Sequence, residues 1–123
     1  MGKMNNQSFV QIPHYKLRFM IAYKAAREGI TVIEQEESYT SKADCTVKDF
    51  IPVYGKEKGK PSFSGSRIQR GLYRTGDGLI VNADCNGAAN ILRKAFPDAW
   101  DKVKDFRFLV SPEPVTIKRL CCA

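Results

Sequence analysis

Asn82-Ala83-Asp84-Cys85-Asn86-Gly87-Ala88-Ala89-Asn90-Ile91 sets one carboxylate at the mouth of a helix built from small residues. From Asp84 the positions Ala88, Ile91 and Ala95 follow at helical offsets, which predicts an inward face that carries the carboxylate at its first turn. Gly87, Ala88 and Ala89 would let this helix end approach a sheet closely. Two roles suit Asp84. It can cap the helix, as Asp commonly does, or it can hold a divalent cation, because Mg²⁺ takes oxygen ligands and usually only one or two carboxylates. The helix is expected from about Asp84 to Lys94, stopping before Pro97.

Upstream, Ile68 to Arg74 and Leu79 to Asn82 flank Thr75-Gly76-Asp77-Gly78, and the Asp-Gly pair between apolar-containing runs predicts a hairpin. From Thr40 to about Arg67 the periodicity fails, with Pro52, Gly55, Gly59, Pro61 and Gly65 marking irregular backbone. Within 56–74 stand Lys56, Lys58, Lys60, Arg67, Arg70 and Arg74 against Glu57 alone. Such an excess attracts phosphates, or equally keeps a solvated loop soluble. Earlier still, Ile12, Tyr15, Phe19, Tyr23 and Ala26 recur at three- and four-residue intervals, predicting an amphipathic helix over 12–28 with Pro13 in its first turn and Gly29 at its end. The β-branched run Ile30-Thr31-Val32-Ile33 then predicts a buried strand ending near Glu34. Helix followed by strand is the unit of an α/β sheet.

The chain has 123 residues, enough for one modest domain, and a net charge of +7 that favours a polyanionic partner. No apolar run approaches the ~20 residues that span a bilayer, and Met1 to Asn6 lacks a signal-peptide core, so a cytoplasmic protein is expected. Cys45, Cys85, Cys121 and Cys122 follow neither a disulfide framework nor a Cys-x-x-Cys knuckle, so reduced thiols are expected. The lone histidine, His14, falls in a helix's first turn and reads as a surface or capping residue rather than a general base. Tyr39 and Tyr54 can stack on unpaired bases or simply pack at a strand end. Trp100, Phe106, Phe108, Leu109 and Val110 can pack back as a tail or dock elsewhere, and the residues around Lys118, Arg119, Cys121 and Cys122 are expected to fray.

The 82–91 segment resembles the third RuvC motif of the transposon-encoded TnpB proteins, relatives of the type V CRISPR effector nucleases. Four more blocks resemble the same family in the same order: Asn5-Asn6-Gln7-Ser8-Phe9-Val10-Gln11-Ile12-Pro13, Glu36-Glu37-Ser38-Tyr39-Thr40-Ser41-Lys42, Arg67-Ile68-Gln69-Arg70-Gly71-Leu72 and Ile91-Leu92-Arg93-Lys94-Ala95-Phe96-Pro97. The resemblance covers roughly residues 1 to 100. It implies an α/β fold, the C-terminal half of an RNase H-like (RuvC) domain with a basic β-hairpin insertion in place of a zinc ribbon. The expected segments are a RuvC-like helix and strand over 1–42, the basic insertion over 43–82, the closing helix over 83–97 and a tail over 98–123.

In that family three carboxylates serve the nuclease, and Asp84 matches the third; the first two would lie upstream of Met1. The resemblance implies Mg²⁺ as the parent's cofactor, with DNA and guide RNA as partners. Glu34, Glu36 and Glu37 do not match the family's catalytic positions and read as a solvated strand end. Thr40, Ser41 and Lys42 match a block beside the family's active cleft, where hydroxyls and an ammonium can hold a phosphate, or equally form a polar turn leading into the insertion. Many members carry two Cys-x-x-Cys pairs in the region where this chain has only Cys45, so no zinc is expected. A single Asp cannot build a two-metal site. The chain is therefore expected to be a truncated TnpB-like protein that retains nucleic-acid-binding surface, with two alternatives: a subunit of a split nuclease, or a module that regulates a parent nuclease. A half sheet leaves an apolar face uncovered, so a homodimer or a second chain is expected.

Overall fold

The structure, a computed structural model, describes residues 13–116. Asn5 to Ile12 of the first family block, and the tail residues Lys118, Arg119, Cys121 and Cys122, lie outside the described residues. The chain divides into two compact units, Met1–Glu34 and Gln35–Ala123. Among the described residues no helix is long and apolar enough to cross a membrane.

In the first unit the expected helix forms as α1, His14–Arg27, with Pro13 as its N-cap. Its end is a Schellman turn: Gly29 takes φ +72°, Gly29 N–H donates to Ala26 O at 3.1 Å and Ile30 N–H to Ala25 O at 2.9 Å. No residue of α1 is buried, so its apolar stripe of Tyr15, Phe19 and Tyr23 lies open. The strand expected at Ile30-Thr31-Val32-Ile33 does not form, and these residues are exposed. The physical reason is pairing. A strand satisfies its N–H and C=O groups on a neighbour, and no described residue of this unit forms a strand to supply one.

The second unit holds an antiparallel sheet in the order β1 (Ser66–Gln69), β2 (Leu72–Arg74) and β3 (Ile80–Asn82), followed by α2 (Ala83–Ala95) and a short 3-10 turn at Arg107–Leu109. The hairpin expected around Asp77-Gly78 is β2–β3, with Tyr73 opposite Val81. Its loop closes through Gly78 N–H to Thr75 O at 3.0 Å, and Gly78 has φ +85°. The run from Ile68 to Arg74, expected as one strand, is instead broken by a second turn at Arg70-Gly71, with Gly71 at φ +80°. Only glycine enters this region of backbone without strain.

The pleat explains the core. Tyr73 and Val81 point to one face and are buried, whereas their neighbours Arg74 and Ile80 point away and are exposed. On the inner face they meet Cys45, Ala89, Phe106 and Leu109, with Trp100 packed against the cluster. Trp100 Nε1 donates to Ala89 O at 2.9 Å, so the tail packs back onto α2. The fold is thus a small α/β arrangement of a three-stranded antiparallel sheet and two helices.

Candidate nucleic-acid interface

The loop that carries the candidate phosphate-binding groups is irregular, and polar side chains of α2 hold it. Asn86 and Asn90 are fully buried, one helical turn apart on one face. Asn86 accepts from Cys45 N–H at 3.1 Å and donates to Ala43 O at 2.8 Å. Asn90 donates to Thr40 O at 2.9 Å and Ala43 O at 2.7 Å, while its oxygen accepts from Arg93 Nη2. Asp44 caps its own turn by accepting from Thr46 N–H at 2.9 Å and reaches the hairpin through Gly76 N–H. Asp49 accepts from Asp44 N–H at 2.9 Å and Ser64 N–H at 2.8 Å, tying both ends of the insertion together. Burial works to raise the Asp49 carboxyl, but the hydrogen bonds from Ser64 and Asp44 outweigh it and hold the group below the usual carboxylate value.

These bonds correct the expected inward face of α2. The buried residues are Asn86, Ala89, Asn90 and Arg93, whereas Asp84 and Ala88 are exposed. The cap is also different: Asn82 accepts from Asp84 N–H at 2.9 Å and Cys85 N–H at 3.0 Å, so Asp84 stands in the first turn with its carboxylate free of the capping role. Among the described residues no group of three or more His, Cys, Asp or Glu could hold a metal ion. Glu36 pairs with Lys94, whose hydrogen bond, with help from Ser38, lowers the carboxyl to about 2, and Glu34 pairs with Arg18. Burial, aided by the Asp44 charge, pushes the Cys45 thiol up to about 12, so it is not a ready thiolate.

Thr40 turns inward. It is 4% exposed and its hydroxyl donates to Glu37 O at 2.7 Å, so its side chain belongs to the scaffold rather than to a phosphate site. Ser41 and Lys42 line one cleft of about 420 Å³ together with Ser66, Arg67 and Phe63. The cleft is set by close packing behind it: Tyr73 hydroxyl donates to Lys42 O at 2.8 Å, and a Cβ on Gly65 would run into that hydroxyl and lie 2.6 Å from Arg74 O. Lys56, Lys58 and Lys60 border a second groove of about 560 Å³ with Phe50 and Val53. Arg70, in the β1–β2 turn, and Arg74 are exposed. An aromatic cluster links the two cavities: Tyr39 approaches Phe63 to 6.1 Å between ring centroids and Tyr54 to 6.5 Å, and its hydroxyl donates to Glu57 of the second groove. That bond, with burial, pushes the Tyr39 phenol up to about 12.

Sequence reasoning missed Asp44, Asp49, Asn86, Asn90 and Arg93. The legible signal was the recurrence of Asn at 82, 86 and 90, a polar stripe at helical spacing among small residues.

The fold and these cavities define a small basic α/β domain whose cation-lined clefts are carried on a loop pinned to one helix. The family model described as Cas12f1-like, TNB domain, matches residues 14–91, and the chain belongs to that family. No curated protein and no solved structure matches the chain. The family assignment agrees with the TnpB-like blocks of the sequence, and its span includes Asp84, both cavities and the hairpin.

Proposed function

We propose that the chain binds nucleic acid as a TnpB-like protein, DNA and guide RNA being the partners its family suggests, with phosphates seated between Ser41-Lys42 and Ser66-Arg67. The observation that carries this reading is the convergence of those four residues, distant in sequence, on one cleft. Hydroxyls and cations of this kind bind phosphate oxygens without reading sequence. Fluorescence anisotropy over a salt series tests it. Replacing Lys42 and Arg67 with alanine should flatten the log-affinity against log-salt slope by ~0.7–0.9 for each phosphate no longer neutralised, the lower figure for single strands. An unchanged slope and affinity in the double variant would sink the reading.

Within this reading Asp84 is the third carboxylate of an RNase H-like (RuvC) nuclease and one ligand of its Mg²⁺, in a site that this chain leaves incomplete. Its exposure on α2 supports that role, since a ligand must be reachable by the ion. The described residues do not fit a metal centre by themselves, so no hydrolytic step is assigned to them. The chain alone should not cut DNA with Mg²⁺ or Mn²⁺; cleavage that disappears in Asp84→Ala would reverse this. The hydrogen bonds of Asp44, Asp49 and Asn86 support an insertion held without zinc, and elemental analysis finding one zinc per chain, lost in Cys45→Ser, would overturn that.

A second reading has its own support. Tyr15, Phe19, Ile30 and Ile33 are all more than half exposed, an apolar surface that a second chain would cover, whether a copy of this one, a subunit with the remaining carboxylates or a nuclease under regulation. In such an assembly the 30–33 run would gain the pairing it needs to become a strand. Sedimentation at micromolar concentration, with and without a Phe19→Ser and Ile33→Ser double change, tests the homodimer: a monomer in both leaves only the heteromeric forms.

A further inference from the structure

Asn86, Asn90 and Lys94 stand four residues apart on α2, one above the other on a single face. The two asparagines hold the carbonyls of Thr40 and Ala43, and Lys94 extends the stripe to the start of the same loop. Its ammonium donates to Glu36 Oε2 and to Ser38 O at 3.0 Å, and lies 3.5 Å from Ser38 Oγ. A lysine in the last turn of a helix ordinarily complements the helix dipole from solvent. This one has a side chain only 7% exposed, and an ammonium has three N–H bonds for those three acceptors. Lys94 is therefore spent on the loop and keeps no donor for a phosphate.

From Ser38 the chain reaches the Ser41-Lys42 cleft through tight turns. Tyr39 takes φ 63°, a left-handed angle uncommon outside glycine. The N–H and hydroxyl of Thr40 both donate to Glu37 O, and Lys42 N–H donates to Tyr39 O at 3.0 Å. Residues 37–42 thus turn as one piece, whose direction depends on where Glu36 and Ser38 are fastened. We infer that Lys94 is a positioning residue for the phosphate cleft: by fastening Glu36 and Ser38 to α2 it aims Ser41 and Lys42 at Ser66 and Arg67 without touching the ligand. Asn90 and the Tyr73 hydroxyl hold the far side of the same turns, so loss of Lys94 frees the near end and leaves the fold in place. The inference rests on the nucleic-acid reading above and adds to it a residue that acts from behind the cleft.

The test is anisotropy with a labelled single-stranded oligonucleotide over a salt series, on the whole chain, with circular dichroism melting to establish that each variant is folded. Lys94→Met should weaken binding by about two- to tenfold, the cost of ordering one freed side chain on binding. The slope of log-affinity against log-salt should stay unchanged, because the same phosphates are neutralised, whereas Lys42→Ala should flatten it by ~0.7. With Lys42 already alanine, Lys94→Met should lose most of its effect, since the cation it aims is gone. Glu36→Ala gives a second route: Glu36 is 44% exposed, so its replacement spares the packing. Charge alone would make that variant bind a polyanion more tightly, whereas the loss of the fastening should make it bind more weakly. A flattened slope in Lys94→Met, or tighter binding in Glu36→Ala, would show Lys94 meeting phosphates itself and overturn the inference. Unchanged affinity in Lys94→Met, or losses that add in full with Lys42→Ala, would overturn it and leave the broader reading standing; no binding by the parent chain would remove both.

Discussion

Ile30-Thr31-Val32-Ile33 and Ile80-Val81-Asn82 are both rich in β-branched residues, yet only the second is a strand. By local preference the first is the better candidate, because every one of its residues favours extended backbone. The difference is in what lies alongside. Ile80–Asn82 pairs with β2, buries Val81 completely and runs directly into α2. The 30–33 run has no described strand beside it, and Ile30 and Ile33 remain exposed. Strand propensity therefore reports a readiness to be paired, and pairing is decided by the rest of the fold.

The comparison breaks most easily at the partner of Val81. Tyr73→Ala empties the inner face of β2 and removes the bond to Lys42 O, and should cost about 3–5 kcal/mol by urea denaturation, whereas Ile33→Ala should stay within about 0.5 kcal/mol. Equal losses would mean that the 30–33 run is paired in solution. Asn90→Ala should cost about 1–3 kcal/mol, because it withdraws the donor shared by Thr40 O and Ala43 O and leaves Arg93 without its acceptor. Asn90→Asp would sharpen the point, keeping the size and the acceptor while removing the amide donor.

A smaller effect should appear with acid. The Asp49 carboxyl titrates below its ordinary value in the folded chain, so its contribution is whole above about pH 4, the unfolded value, and disappears as pH falls through the lower folded one. Asp49→Asn should flatten the stability profile in that window, measured by thermal melts from neutral to acidic pH. If the profile keeps its slope, the cross-link between Asp44 and Ser64 is not what holds the insertion. The smallest change in stability is expected at the surface. Replacing Lys56, Lys58, Lys60 and Arg70 with alanine, or Asp84 with asparagine, should move stability by no more than about 0.5 kcal/mol. The four-alanine variant should nonetheless flatten the salt dependence of DNA binding, while Asp84→Asn leaves binding intact or slightly tighter. Binding that survives the four-alanine change and fails in Asp84→Asn would make the lysine segment a solvated loop.

The helices and the β2–β3 hairpin were legible because their causes are local. Gly29 ends α1 by a backbone angle that suits glycine, Asp77-Gly78 turns the hairpin, and Pro97 stops α2. The basic stretch and the family blocks were legible in the same way, as residues in order along the chain. Four things were settled only by residues distant in sequence. The 30–33 run was left unpaired, and the buried face of α2 went to Asn86, Asn90 and Arg93 rather than to Asp84, because the carbonyls of the 40–45 loop needed donors. Thr40 was drawn inside while Ser41 and Lys42 meet Ser66 and Arg67 at the cleft. Glu57 was turned towards the hydroxyl of Tyr39, 18 residues away, when the insertion folded back on itself. The sequence alone determined where the chain turns and which charges it carries. Tertiary structure decided which polar groups are buried and which cations share a cleft, because hydrogen-bond satisfaction and burial depend on neighbours that the local sequence does not name.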